Sequence, residues 1–274
     1  MTNMYINAIN YSKNTKLWMD DLAVNMMNLY TPGYRESQMT FKTYLDNIMP
    51  DRPLKNLGQG KAIPGTSSEN IFLEGSGYFV IKNDEGRVAY TRLGEFKFDD
   101  DGVYRASDGS MVQGYILNDA GEIMHGNKNG SENSIAAGGT MDIPTTEIKL
   151  WIDPDNGKYL GKYDEFEIKE DGVLYGKANN GNEMTPLYKI ALANFHNSQE
   201  LFEYKDGQFI ETKESGRPVA GRGTIKSGHI ELSNIDFKAN ATYWQQAKNQ
   251  LEVSSKIFST YDSLLDTLLQ NLLQ

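Results

Sequence analysis

Cysteine is absent from the 274-residue chain, which excludes disulfides and thiolate metal sites. Histidine occurs only as His125, His196 and His229, far apart and without acidic or serine neighbours at catalytic spacing. There is no His-Glu-x-x-His, no Walker loop and no Gly-x-Ser-x-Gly. No catalytic, cofactor-binding or metal-binding set emerges, and the chain reads as a non-enzyme. Long apolar runs are also missing, since no segment approaches the roughly eighteen residues a membrane-spanning helix needs. Basic residues are outnumbered, 27 Lys and Arg against 37 Asp and Glu, for a net charge of −10. Most of the acidity lies between Glu69 and Glu214, which argues against nucleic acid or an anionic membrane as partner. Asn3, Asn7, Asn10, Lys13 and Asn14 interrupt every apolar run at the N-terminus, so no cleavable signal is expected and the chain by itself reads as cytoplasmic.

Glycine and proline, the two helix breakers, are missing after Asp236. Residues 229–274 therefore read as one C-terminal helical segment. An apolar column repeats every seven positions: Phe237, Trp244, Leu251, Phe258, Leu265 and Leu272. Such a period marks a helix that supercoils against another helix. Ser233, Asn234 and Asp236 can each cap its start. At about 1.5 Å per residue the rod spans roughly 55 Å, too long to cover one small domain. The alternative is a long helix lying on its own domain. Asn240, Lys248, Ser254, Ser255 and Asp262 are polar companions of the column, and polar seam groups fix register at a cost in stability.

The N-terminal segment, residues 1–35, holds a second long helix expected over residues 3–29. One face carries Met4, Ala8, Tyr11, Thr15, Trp18, Leu22, Asn25 and Leu29, with Thr15 and Asn25 interrupting the seam. Thr31-Pro32-Gly33 then stops it. Spacing at 34–48 allows a short further helix or an arm, and 36–70 reads as an extended connector rich in Gly and Pro.

From Ile71 to Gly228 the pattern changes to short aromatic and β-branched runs separated by Asp-Gly, Asn-Gly and similar turns. This is the pattern of an antiparallel β domain built from hairpins. Phe96-Lys-Phe-x-x-Asp101-Gly102-Val103 recurs as Phe166-Glu-Ile-x-x-Asp171-Gly172-Val173, one hairpin type used twice with no third copy. Residues 126–139 read as an exposed loop. Gly75-Ser-Gly77 reads as a tight turn, because no helix pattern follows to make a phosphate cradle. Asp99, Asp101, Gly102 and Asp108 resemble a calcium loop only faintly, since Lys97 holds the first ligand position and the last lacks Glu. The fold expected is α+β, an antiparallel β-rich middle with long terminal helices packing as a coiled-coil-like pair.

Four ordered motifs carry a resemblance. They are Leu22-Ala-Val-Asn25-Met-Met-Asn28-Leu29-Tyr-Thr31-Pro32-Gly33-Tyr34-Arg35, Gly75-Ser-Gly77-Tyr-Phe79, Tyr90-Thr91-Arg92-Leu93-Gly94-Glu-Phe96 with Gly102 after it, and Gly228-x-x-Glu231-Leu-Ser233-Asn234-Ile-Asp236. Together they resemble the flagellar basal-body rod and hook family of axial proteins, as a divergent member. The family pattern has Glu where this chain has Asn240, and Gln-Arg-x-Tyr where it has Lys248-Asn249-Gln250-Leu251. The connector is short, and 151–166 looks inserted. A β region without room for a further domain favours rod over hook. The resemblance implies a structural subunit, without cofactors, that self-assembles into a helical tubular drive shaft through its terminal helices. It also implies export by the flagellar type III apparatus without a cleaved signal, residence in the periplasm-spanning rod, and other rod and hook proteins as partners. Arg92 is either an interface contact or part of an internal salt bridge. The alternative reading is a secreted β-rich binding protein or carbohydrate-active enzyme oligomerised through its terminal helices, and the lack of a paired catalytic constellation weighs against it.

Overall fold

The computed structural model describes residues 2–44, 47–50, 53–124, 145–150, 165–177, 183–205 and 207–272. The expected loop at 126–139, His125, the Asn156-Gly157 and Asn180-Gly181 turns and all of the 151–166 insertion but Glu165 and Phe166 lie outside the described residues, as do the side chains of Met4 and Leu272. The chain is α+β and divides into two compact units. The first holds Met1–Thr31, Arg35–Asn56 and Ser233–Gln274, the second Pro32–Tyr34 and Leu57–Leu232.

Two long helices dominate the first unit, α1 over Thr2–Met27 and α2 over Phe237–Leu272. Of the three candidate caps for α2, Asp236 does the work. Its Oδ1 accepts from the backbone N–H groups of Lys238 at 2.9 Å and Ala239 at 3.1 Å, a contact worth about 1 kcal/mol. The helices run antiparallel. Tyr5 stacks on Tyr261 with ring centroids 4.6 Å apart and meets Phe258 edge-on. Trp18 lies 6.0 Å from Tyr243, and Asn25 reaches Asn240. Neither helix is long and apolar enough to cross a membrane.

The stretch 34–48 is an extended arm and contains no helix among its described residues. Ser37–Gln38 pairs with Leu54–Lys55, and Phe41–Tyr44 with Asn47–Pro50. Its apolar spacing fits either form, but the run Phe41–Tyr44 is rich in aromatic and β-branched residue types, which favour a strand.

The second unit is built on an antiparallel sheet. Its main path runs Glu165–Ile168, Val173–Lys177, Met184–Ile190, Met111–Ile116, Tyr78–Lys82, Val88–Thr91, Gln208–Ile210 and Phe202–Lys205. Tyr78–Lys82 is covered on both faces, as period-two alternation requires of its aromatic and aliphatic run. Phe79 and Ile81 enter a core with Phe96, Tyr104, Val112 and Ile190, while Tyr78 and Val80 join Tyr90, Phe195 and Phe209. Phe79 and Phe96 meet edge-on at 5.4 Å.

The two look-alike hairpins share their turn bond for bond. Asp99 N–H donates to Val103 O and Gly102 N–H to Asp99 O, while Lys169 N–H donates to Val173 O and Gly172 N–H to Lys169 O. The same pair of bonds recurs at 83–87, 106–110 and 118–122, so among the described residues this turn occurs five times. Its fourth position is always a glycine at positive φ, from +69° at Gly102 to +87° at Gly109, a region where a Cβ is unfavourable. The other three copies escape a search for the Phe-x-Phe flank because only the turn geometry is shared.

Candidate assembly interface

In α2 the deepest column holds Asn240, Ala247 and Ser254, all at most 2 % exposed and seven residues apart. Trp244, Leu251 and Phe258 lie beside them half-buried, whereas Phe237 and Leu265 are 54 % and 42 % exposed. The apolar heptad column is therefore the flank of the buried face, and small and polar residues occupy its centre. Small side chains let two helix backbones approach, while bulky ones wrap the sides. On α1, Ala8, Thr15, Leu22 and Asn25 are buried, Trp18 and Leu29 half-buried, and Tyr11 exposed. Thr15, which interrupts the apolar seam, donates its hydroxyl to Tyr11 O at 2.8 Å. Trp18, Met39, Phe41 and Tyr243 line a groove of about 490 Å³ in this unit.

Much apolar surface remains open on the same helices. Leu264, Leu265, Leu268 and Leu269 of α2 are exposed, as are Ile6, Ile9 and Met27 of α1. Apolar area of this kind, concentrated on one element, marks an interaction surface.

A closed polar network ties α1, the arm and α2 together inside the first unit. The Asn25 side chain donates to Ser37 O at 2.7 Å and accepts from Ser37 N–H at 2.9 Å, the two-point match of an amide to a strand. Asn25 also donates to Asn240 Oδ1 at 3.3 Å, and Asn240 donates to Glu36 Oε1 at 2.6 Å. Asn234 accepts from Glu36 N–H at 2.8 Å and donates to Asn56 O at 2.7 Å. Buried amides answered on both donor and acceptor sides specify one geometry. Of the motif residues, Asn25 and Asn234 belong here. Asn28 and Thr31 bond each other at 3.0 Å at the end of α1, and Ser233 accepts from Ile235 N–H.

Apart from Leu22, Leu29, Arg35 and Asp236 of the first unit, the other named motif residues lie in the second unit. Arg92 is internal: its guanidinium donates to Leu73 O at 3.0 Å and to Gly75 O, and lies 3.6 Å from Glu231 Oε2. Glu231 accepts from Gly60 N–H at 2.8 Å through its other oxygen. Both side chains are almost fully buried, so the pair holds three segments by charge-assisted bonds. Thr91 donates to Gly207 O at 2.8 Å, and Tyr90 packs edge-on against Phe195. Gly33, at φ +68°, follows Pro32, sends its N–H to Glu231 O and presses on Leu93. A Cβ on Gly94 would sit 1.6 Å from Ile71 O, and one on Gly77 2.9 Å from Ala193 O. These motif positions hold backbones close. Among the described residues no group of His, Asp and Glu could hold a metal ion. The sequence pattern missed Glu36 and Asn56, two hubs with no local signature in a connector.

The family model for the flagellar hook protein FlgE/F/G D1 domain matches residues 72–176. Over nearly the whole chain, the protein is similar to the flagellar basal-body rod protein FlgG of Bacillus subtilis, 26% identical across 95% of this chain and 96% of the relative. The FlgG of Agrobacterium fabrum is 23% identical across 93% of each chain. The flagellar hook protein FlgE of Borreliella burgdorferi is 31% identical, but over only 48% of this chain and 33% of the relative. The family model and the rod relatives matching over most of the chain support its assignment to the flagellar basal-body rod and hook protein family.

Proposed function

We propose that this chain is a structural subunit of the bacterial flagellar basal-body rod and that copies assemble helically through α1 and α2. The observation that carries the reading is the end-to-end likeness to rod proteins, which includes the two terminal helices as well as the β unit. The open apolar faces of those helices support it, because neighbouring copies would bury what one copy leaves exposed. A contact between unlike faces does not close on itself and builds a filament. In this reading the helices pair as a coiled-coil-like layer, the interface residues being Trp18, Leu22, Leu29, Trp244, Leu251, Phe258 and Leu265 with their neighbours. Rod and hook proteins are the adjoining components, and the subunit reaches the periplasm-spanning rod through the flagellar type III export apparatus.

Deleting the gene tests this. Loss of hook and filament, restored by the wild-type copy, is the expected result. Normal motility of the deletion strain would remove the rod assignment.

A further inference from the structure

The charges on the two helices are unevenly spread along their length. Lys13 and Lys16 of α1 and Lys248 and Lys256 of α2 are exposed near the middle of the pair, with Glu252 as the one acidic residue among them on α2. Past Tyr261, where Tyr5 stacks, α2 presents Asp262 and Asp266 beside the exposed Leu264, Leu265, Leu268 and Leu269. The outer face of α1 shows the complementary order. Ile6, Ile9, Lys13 and Lys16 are spaced three or four apart, hence on one stripe, and all are exposed. Asp20 ends that stripe.

Resting on the rod reading above, we propose that the acidic, leucine-rich end of α2 docks on this α1 stripe of a second copy, antiparallel and shifted by about 13 residues from the pairing inside one chain. Within the chain, Tyr5 faces Tyr261 and Asn25 faces Asn240. A shift of about 13 residues, roughly 19 Å at the helical rise, places Asp262 opposite Lys16, Asp266 opposite Lys13 and Leu269 opposite Ile9. No smaller shift sets both aspartates opposite lysines. The occupant is a second copy because the stripe and the tip are each other's complement in sign and apolar order. The stripe lies on the side of α1 away from Ala8, Thr15 and Leu22, so it is open while the chain's own α2 is in place. The contact is between unlike faces and so propagates.

The absence of cysteine makes the register directly measurable. A full-length chain carrying Lys13→Cys and Asp266→Cys should form disulfide-linked multimers on mild oxidation of assembled material. The two positions are too far apart within one copy to bridge, since a disulfide needs Cβ atoms about 4 Å apart. Reversing one side, with Lys13→Asp and Lys16→Asp or with Asp262→Lys and Asp266→Lys, should lower the assembled fraction about tenfold. Combining the two reversals should restore it. All these residues are exposed, and unchanged circular dichroism of the monomers confirms that folding is not what failed. Assembly without the crosslink, with charge reversals that do not matter, overturns this register and leaves the rod reading standing. A chain that never assembles overturns both.

Discussion

Asn240 hands one amide proton to Glu36 across 2.6 Å, joining α2 to the arm that follows α1. Both residues are buried, and the two are 204 positions apart in the chain. The family pattern has glutamate where Asn240 stands. Here a second carboxylate at that position would face Glu36, so the amide is the residue that fits this arm.

Replacing Asn240 by Glu should therefore destabilise the first unit by about 2–3 kcal/mol, through like-charge repulsion and a lost hydrogen bond. Glu36→Gln added to that variant should recover much of the loss. A double-mutant cycle by denaturant unfolding measures the coupling, and additive losses would show that the two side chains do not interact.

Ala247 is fully buried at the centre of the face that α2 turns toward α1. Ala247→Leu should cost about 1–3 kcal/mol by overpacking, even though leucine strengthens the apolar pattern and the helix propensity hardly changes. Leu265→Asp should leave the monomer's unfolding transition in place, because Leu265 is 42 % exposed, while blocking assembly. Thermal unfolding and light scattering separate the two effects, and the opposite pairing of outcomes would place Leu265 inward.

Arg92 and Glu231 are a buried pair in the second unit. Glu231→Ala or Arg92→Ala should each cost about 3–5 kcal/mol, because each leaves a buried charge without its counter-ion. The double variant should cost clearly less than the sum. Full additivity, measured by urea unfolding, would count against the pair as a unit.

Acid should weaken the second unit partly through Asp108. Burial alone raises a carboxyl's affinity for protons, but bonds from Gln208 at 2.8 Å and from the Ser110 N–H and hydroxyl, with Lys205 nearby, outweigh it and hold Asp108 below the usual range. A group depressed in the folded state stabilises above its unfolded value, and that contribution is lost as pH falls through the folded value. Asp108→Asn should thus show a shallower fall in melting temperature between neutral pH and pH 3. An unchanged slope would mean that the group titrates alike in both states.

Local physics made much of this legible in the sequence. Helix breakers missing after Asp236, three candidate caps at Ser233, Asn234 and Asp236, and Pro32-Gly33 after α1 act within a few residues, so the two helices could be read directly, while the choice of Asp236 as cap came from the structure. The Asp-Gly turns were equally plain, because a positive φ at the fourth turn position favours glycine wherever it occurs. Apolar periodicity also marked the helices as partners. It chose the wrapping column of α2 over the buried one, because hydrophobicity ranks Leu251 above Ala247 while close approach of two backbones ranks them the other way. The connector at 34–48 was open between helix and arm until its strands found partners. Tertiary structure alone decided that Glu36, Asn56 and Asn240 meet, that Arg92 turns inward to Glu231, and that Gly94 must be glycine to pass Ile71. Each of those contacts joins residues far apart in the chain, and hydrogen bonding and van der Waals exclusion act on distance in space, which the order of residues does not encode.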